Sequence, residues 1–342
     1  MDKRDILSMT RDELIIALDA MGEKKFRAEQ IYSWLHVKKV TDFSEMTNIS
    51  LELRTKISEK FYINRLIVVK RLESNTDNTI KYLYELSDGN HVEAVLMDYK
   101  HGNSLCISTQ VGCKMGCKFC ASTIAGFRRN LEPSEMLGQI YTAENDSGRH
   151  IDSLVLMGIG EPLDNYNNVI RFLDILSSEK GRNMSLRHVS LSTCGIVPRI
   201  NDLARLKTGL TLSVSLHAAN DKARSEIMPV NNRWGVEELI AACKDYISTT
   251  GRRISFEYAV IGGVNDSEND AAALAKLLRG INCHVNLIPV NRIKERDYSA
   301  ERRDAVRFAE SLSKKGLNVT VRRTLGSDIN AACGQLRREY EI

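Results

Sequence analysis

Between residues 104 and 290 the chain repeats one unit six times: a short apolar strand followed by a helix-patterned stretch. The strands are SLCIST (104–109), SLVLMG (153–158), HVSLST (188–193), LTLSVSLH (210–217), ISFEYAV (254–260) and HVNLIPV (284–290), and NVTVRR (318–323) adds a possible last one. Six βα units in succession predict an α/β fold with a parallel sheet, because parallel neighbours need a long crossover that a helix supplies. All five prolines, Pro133, Pro162, Pro198, Pro229 and Pro289, fall in this half, several where a loop hands over to a helix. Six units are too few for a closed eight-stranded barrel, so an open barrel and a doubly wound sheet both fit. In either, ligands meet the loops at the carboxyl ends of the strands.

The first hundred residues follow other rhythms. Thr10 and Glu13 form a capping box ahead of Leu14, Ile15, Leu18 and Met21, and two further helices are predicted from Phe26, Ile31, Trp34 and Leu35 and from Leu53, Ile57 and Phe61. Three β-rich runs, 66–72, 80–86 and 92–97, are split by polar turns and predict an antiparallel meander. The expected division is a helical accessory unit at 1–65, a β extension at 66–98, a core at 99–330 and a tail at 331–342.

Composition narrows the class. With 43% hydrophobic and 27% charged residues the chain matches a soluble globular protein. No window approaches ~18 uncharged apolar residues, and the first twenty carry charges of both signs, so neither membrane nor export is expected. Eight cysteines in 342 residues are too dilute for a disulfide scaffold, which places the chain in a reducing cytoplasm with free thiols. The net charge is only +4, although residues 291–342 hold twelve Lys/Arg against eight Asp/Glu, a weak pointer to a polyanion.

Cys106, Cys113, Cys117 and Cys120 crowd into fifteen residues, and the last three form C-x-x-x-C-x-x-C in the loop after the first core strand. Three clustered thiols suit an iron–sulfur centre. Zinc stays open if Cys106 is a fourth ligand, as in a zinc-stabilised RNA-binding protein, and inert thiols are the bland alternative. In MGIGEPLDN the third glycine of a dinucleotide fingerprint is replaced by Leu163, so a tight strand-to-helix turn is the simple reading. Ser192, Ser215 to His217 and Asn291 stand at successive carboxyl strand ends, and Cys333 sits in GSDINAACGQL with no nearby cysteine.

C-x-x-x-C-x-x-C after the first strand of a six-unit βα array resembles the radical S-adenosylmethionine (SAM) superfamily. GEPLDN, STCGIVP, SLHAA, LIPVN and D-I-x-A-A-C-G-Q-L resemble, more closely, the radical SAM adenine-C2 methyltransferases of 23S rRNA and tRNA, the RlmN type, over nearly the whole chain. The Cfr-type cousins, which methylate C8, usually depart from G-E-P-L and S-T-C-G-I-V-P.

The resemblance implies a partial (β/α)6 barrel. It implies a 4Fe–4S cluster on Cys113, Cys117 and Cys120, and SAM bound by Gly160, Glu161, Ser192, Ser215, Leu216, His217 and Asn291. Two SAM are implied per turnover: one methylates Cys333, and a radical formed from the other activates that methyl group for addition to adenine C2. Glu93 maps onto the proton acceptor and Cys106 onto the thiol that resolves the adduct as a transient disulfide with Cys333. Cys194, Cys243 and Cys283 are left as bystanders. The implied partners are 23S rRNA, tRNA and an electron donor such as flavodoxin or ferredoxin, with a monomer expected. Arg128, Arg129, Arg322 and Arg323 are candidate RNA contacts at the cavity mouth, extended by Lys24, Lys25, Lys38 and Lys39.

Overall fold

A computed structural model of the chain describes residues 3–290, 298 and 300–331. Asn291 and Cys333 therefore lie outside the described residues. The chain opens with β1 (Arg4–Asp5), α1 (Arg11–Asp19), α2 (Lys25–His36), α3 (Leu51–Lys60) and β2 (Phe61–Tyr62). The capping box is present: Glu13 N donates to Thr10 Oγ1 and Thr10 N to Glu13 Oε2. Leu14 and Leu18, Ile31 and Leu35, and Leu53 and Ile57 supply the buried stripes of the three helices.

The meander follows as β3 (Ile67–Glu73), β4 (Ile80–Glu85) and β5 (His91–Tyr99), and β5 turns directly into β6 (Gly102–Cys106). β3, β4, β5 and β6 pair antiparallel in succession. The meander is thus an extension of the core sheet rather than a separate layer. A short hairpin of β7 (Gln110–Gly112) and β8 (Phe127–Asn130) brackets the cysteine loop.

Next come α4 (Pro133–Ser147), β9 (Ser153–Leu156), α5 (Tyr166–Ser177), β10 (Val189–Thr193), α6 (Val197–Leu206), β11 (Thr211–Ser215), α7 (Asp221–Ile227) and α8 (Val236–Thr250). β12 (Ile254–Val260), α9 (Glu268–Leu277), β13 (Cys283–Pro289), α10 (Arg302–Lys314) and β14 (Val319–Val321) complete the described elements. The ten-stranded sheet runs β14-β13-β12-β11-β10-β9-β6-β5-β4-β3, and every pair from β6 to β14 is parallel. Neighbours in space are neighbours in sequence, without the reversal a doubly wound sheet requires. An open partial barrel is the architecture, as expected.

The helical unit shares one apolar core with the barrel. Asn64 Nδ2 donates to Ser134 Oγ at 3.0 Å, Lys39 pairs with Glu144 at 3.1 Å, and His36 Nδ1 lies 3.0 Å from Tyr141 Oη, all from the first unit to α4.

Candidate active site

A cavity of about 300 Å³ opens at the carboxyl ends of the parallel strands, and Cys113, Cys117 and Cys120 all line it. Burial pushes the Cys113 thiol up to about 12 and the Cys117 thiol higher, with the neighbouring sulfurs adding to both. Bare thiolates are disfavoured there, and a cationic iron centre would exchange for their protons. Among the described residues no three His, Cys, Asp or Glu side chains converge on a single-ion position. Three thiols lining one cavity are a donor set that suits an iron–sulfur centre. Cys106 is absent from this lining; it is buried with Val95, Met97 and Ala331 in a separate small cluster, which removes the four-thiol zinc arrangement.

Across the cavity stand Gly158, Gly160, Glu161, Ser192, Ser215 and His217. Gly158 passes so close to β6 that a Cβ there would meet Ile107 O at 2.5 Å, and Gly160 has φ +110° with Gln110 Cβ 2.6 Å from the same point. Both positions need glycine, and together they leave backbone facing the cavity. Glu161 is buried, and its oxygens accept Cys194 N at 2.7 Å and Leu163 N at 3.0 Å. Burial outweighs these bonds and pushes its carboxyl above the usual range.

His217 has φ +58° and is buried, and its Nδ1 accepts Ala259 N at 2.8 Å. Nε2 therefore carries the proton, and burial lowers the imidazole to about 3, so the ring is neutral at physiological pH. Leu216, between Ser215 and His217, turns into the core with no exposed surface and does not line the cavity, and its carbonyl accepts Arg224 Nε.

Two residues that the sequence reading missed shape the site. Arg224 is fully buried and donates to Leu216 O (3.0 Å), Cys194 O (2.6 Å), Ser215 O (3.0 Å) and Asn231 Oδ1 (2.9 Å). One guanidinium thus fixes the loop ends after β10 and β11. Glu257 on β12 reaches the cavity, accepts Asn286 Nδ2 at 2.8 Å and Ser255 Oγ at 3.1 Å, and is raised by burial despite nearby Arg322.

Glu93 points inward and is fully buried, with Lys81 Nζ 3.2 Å from its Oε2. The basic positions divide. Arg128, Lys24, Lys25 and Lys38 are exposed. Arg129, by contrast, is committed to Asp88 at 2.6 Å and to both oxygens of Glu135 at 2.7 and 2.8 Å. Arg322 lines the cavity wall, and Arg323 lines the adjoining concavity below it.

Comparison with known proteins places this geometry. The family described as "Ribosomal RNA large subunit methyltransferase N-terminal domain" matches residues 4–63, and "Radical SAM superfamily" matches residues 107–275. A probable dual-specificity RNA methyltransferase RlmN of Lachnoclostridium phytofermentans is 52% identical over 99% of this chain and 96% of its own length. The chain belongs to the RlmN family. A relative of the same description from Clostridium novyi is 51% identical over 98% of both chains. A radical SAM methyltransferase of Sphaerobacter thermophilus superposes with a TM-score of 0.93 at 41% identity, covering 97% of this chain and 98% of that one. The protein is accordingly a SAM-dependent radical RNA methyltransferase, an enzyme of the RlmN family with a 4Fe–4S cluster and SAM as its cofactors. No helix among the described residues is long and apolar enough to cross a membrane.

Proposed function

We propose that this enzyme methylates C2 of an adenosine in 23S rRNA, at the peptidyl transferase centre, and of the adenosine 3′ of the anticodon in tRNAs. The observation that carries the mechanistic reading is the cluster of Cys106 with Val95, Met97 and Ala331, which brings the loop before Cys333 against the resolving thiol. Cys113, Cys117 and Cys120 would hold the 4Fe–4S centre, and the Gly160–Glu161 turn, Ser192, the 215–217 loop end and Asn291 would hold SAM.

When bound, these groups supply an electron to SAM and a radical that removes hydrogen from a methyl group. The chain's own residues do the rest. Cys333 carries the methyl group as a thioether, and its methylene adds to C2 of the base. Glu93, beside Lys81, accepts the C2 proton. Loss of the one unpaired electron left by the addition, which the cluster would take back, restores the aromatic ring. Cys106 as a thiolate then attacks the Cys333 sulfur, and the C–S bond breaks with its electron pair on the methylene carbon. That carbon takes a proton to become the methyl group, and external thiols reduce the resulting disulfide. The target base must leave its stack to reach these groups. An electron donor of flavodoxin or ferredoxin type, a cytoplasmic location and a monomeric state complete the proposal.

The test is Cys106→Ala with RNA, SAM and a reductant. A covalent protein–RNA adduct should accumulate, and ordinary turnover by this variant would show the resolving step to be misassigned.

A further inference from the structure

Strand β4 buries a lysine that hydrophobic packing alone does not explain. Lys81 is fully buried, as is Glu93. The register explains their meeting: Lys81 pairs with Val95 and Val95 with Cys106, so the three side chains form a row on one face of three strands. Glu93 lies two residues before Val95 on the same face, and its Oε2 is 3.2 Å from Lys81 Nζ. Lys81 Nζ also donates to Asn330 O at 3.0 Å. A buried ammonium is retained where such partners offset its lost hydration.

The β3–β4 turn holds the beginning of the same loop. Gly326 N donates to Asp77 Oδ2 at 2.7 Å, Ser74 Oγ to Asp328 Oδ1 at 2.7 Å and Asn75 N to Asp328 Oδ2 at 2.9 Å. Lys81 reaches the far end of the loop, at the residue three before Cys333.

We propose that Lys81 is a positioning residue. Its ammonium grips the Glu93 carboxylate and the Asn330 carbonyl together, so the proton acceptor and the chain leading to Cys333 meet the target base as one preorganised unit. The inference rests on the roles proposed above for Glu93 and Cys333.

Amide hydrogen exchange of the full-length protein tests the anchor without reference to the reaction. In Lys81→Met, the amides of Ile329, Asn330 and Ala331 should exchange at least tenfold faster, while that of Gly326, which Asp77 holds, and those of β4 and β5 stay protected. The double variant Lys81→Met/Glu93→Gln removes the stranded buried charge, so it keeps the fold if the single variant does not; the same three amides should still exchange faster. Unchanged protection of those amides in whichever of the two variants folds would overturn the proposal. With RNA as substrate, the loaded Lys81→Met enzyme should lose roughly tenfold to a hundredfold in kcat with little change in the RNA KM. It should also release more 5′-deoxyadenosine per methyl group transferred, and Lys81→Arg should recover most of both. Loosened amides with wild-type coupling would leave the anchor standing and overturn the positioning role; an intact anchor with no adduct in Cys106→Ala would count against the proposed function alone.

Discussion

Cys106 and Ala331 are 225 positions apart in sequence and share one small buried cluster, separate from the main core. Cys106 ends β6, the first parallel strand, and Ala331 closes the loop after β14 with its N–H on Gly326 O at 2.9 Å. The contact seats the Cys106 thiol against residue 331, apart from the cavity that Cys113, Cys117 and Cys120 line.

Arg224 should be indispensable to the shape of the cavity. Arg224→Met would leave three carbonyls without their buried donor and should cost about 3 kcal/mol in urea denaturation. Arg224→Lys should recover less than half, since an ammonium lacks the fork that spans Cys194 O, Ser215 O and Leu216 O. Wild-type stability in Arg224→Met would contradict this role.

The glycine turn should resist even a methyl group. Gly158→Ala forces a shift against the backbone of Ile107 and Ser108, worth about 2 kcal/mol. Anaerobic SAM titration should show weakened binding in Gly158→Ala and in Gly160→Ala, with iron content per chain maintained.

Acid stability should carry a histidine signature. His36 and His217 are each lowered to about 3 by burial, below the unfolded value near 6.5. The unfolded chain binds their protons first, so each histidine removes stability as pH falls from about 6.5 towards 3, at up to about 1.4 kcal/mol per pH unit. Glu161 and Glu257 are raised and act in the opposite sense, so the difference between variants is the useful quantity. The gap in urea midpoint between His36→Phe and wild type should move in favour of the variant from pH 7 to pH 5. A constant gap would refute it.

The two neighbouring arginines should separate in their effects. Arg128→Glu should weaken RNA binding and lower the salt dependence by roughly one counterion while leaving the melting temperature unchanged. Arg129→Glu should lower the melting temperature, because Asp88 and Glu135 lose their cationic partner and face a like charge.

Much of this arrangement was legible in the chain itself. The parallel strands are long and apolar enough to be read by pattern, and ISFEYAV matches β12 residue for residue. The cysteine spacing and the glycine turn carry their chemistry locally, so both were found. The β7–β8 hairpin was not, because QVG and FRRN are too short and polar to look like strands. Glu93 was ambiguous because β5 is buried on both faces, which erases the alternation that would orient it. Arg224, Lys81 and Glu257 escaped for a common reason: a charged residue reads as surface until its partners are known. The partners of Arg224 come from four other positions in the chain, and Glu93 and Asn330 are separated from Lys81 by 12 and 249 residues.

The central claim is methyl transfer to adenine C2. Its most direct test is mass spectrometry of nucleosides from 23S rRNA and tRNA treated anaerobically with the reconstituted enzyme, SAM and a reductant. The account predicts 2-methyladenosine in both RNAs, absent when Cys333 is replaced by Ala; 8-methyladenosine as the main product, or 2-methyladenosine formed by Cys333→Ala, would contradict it.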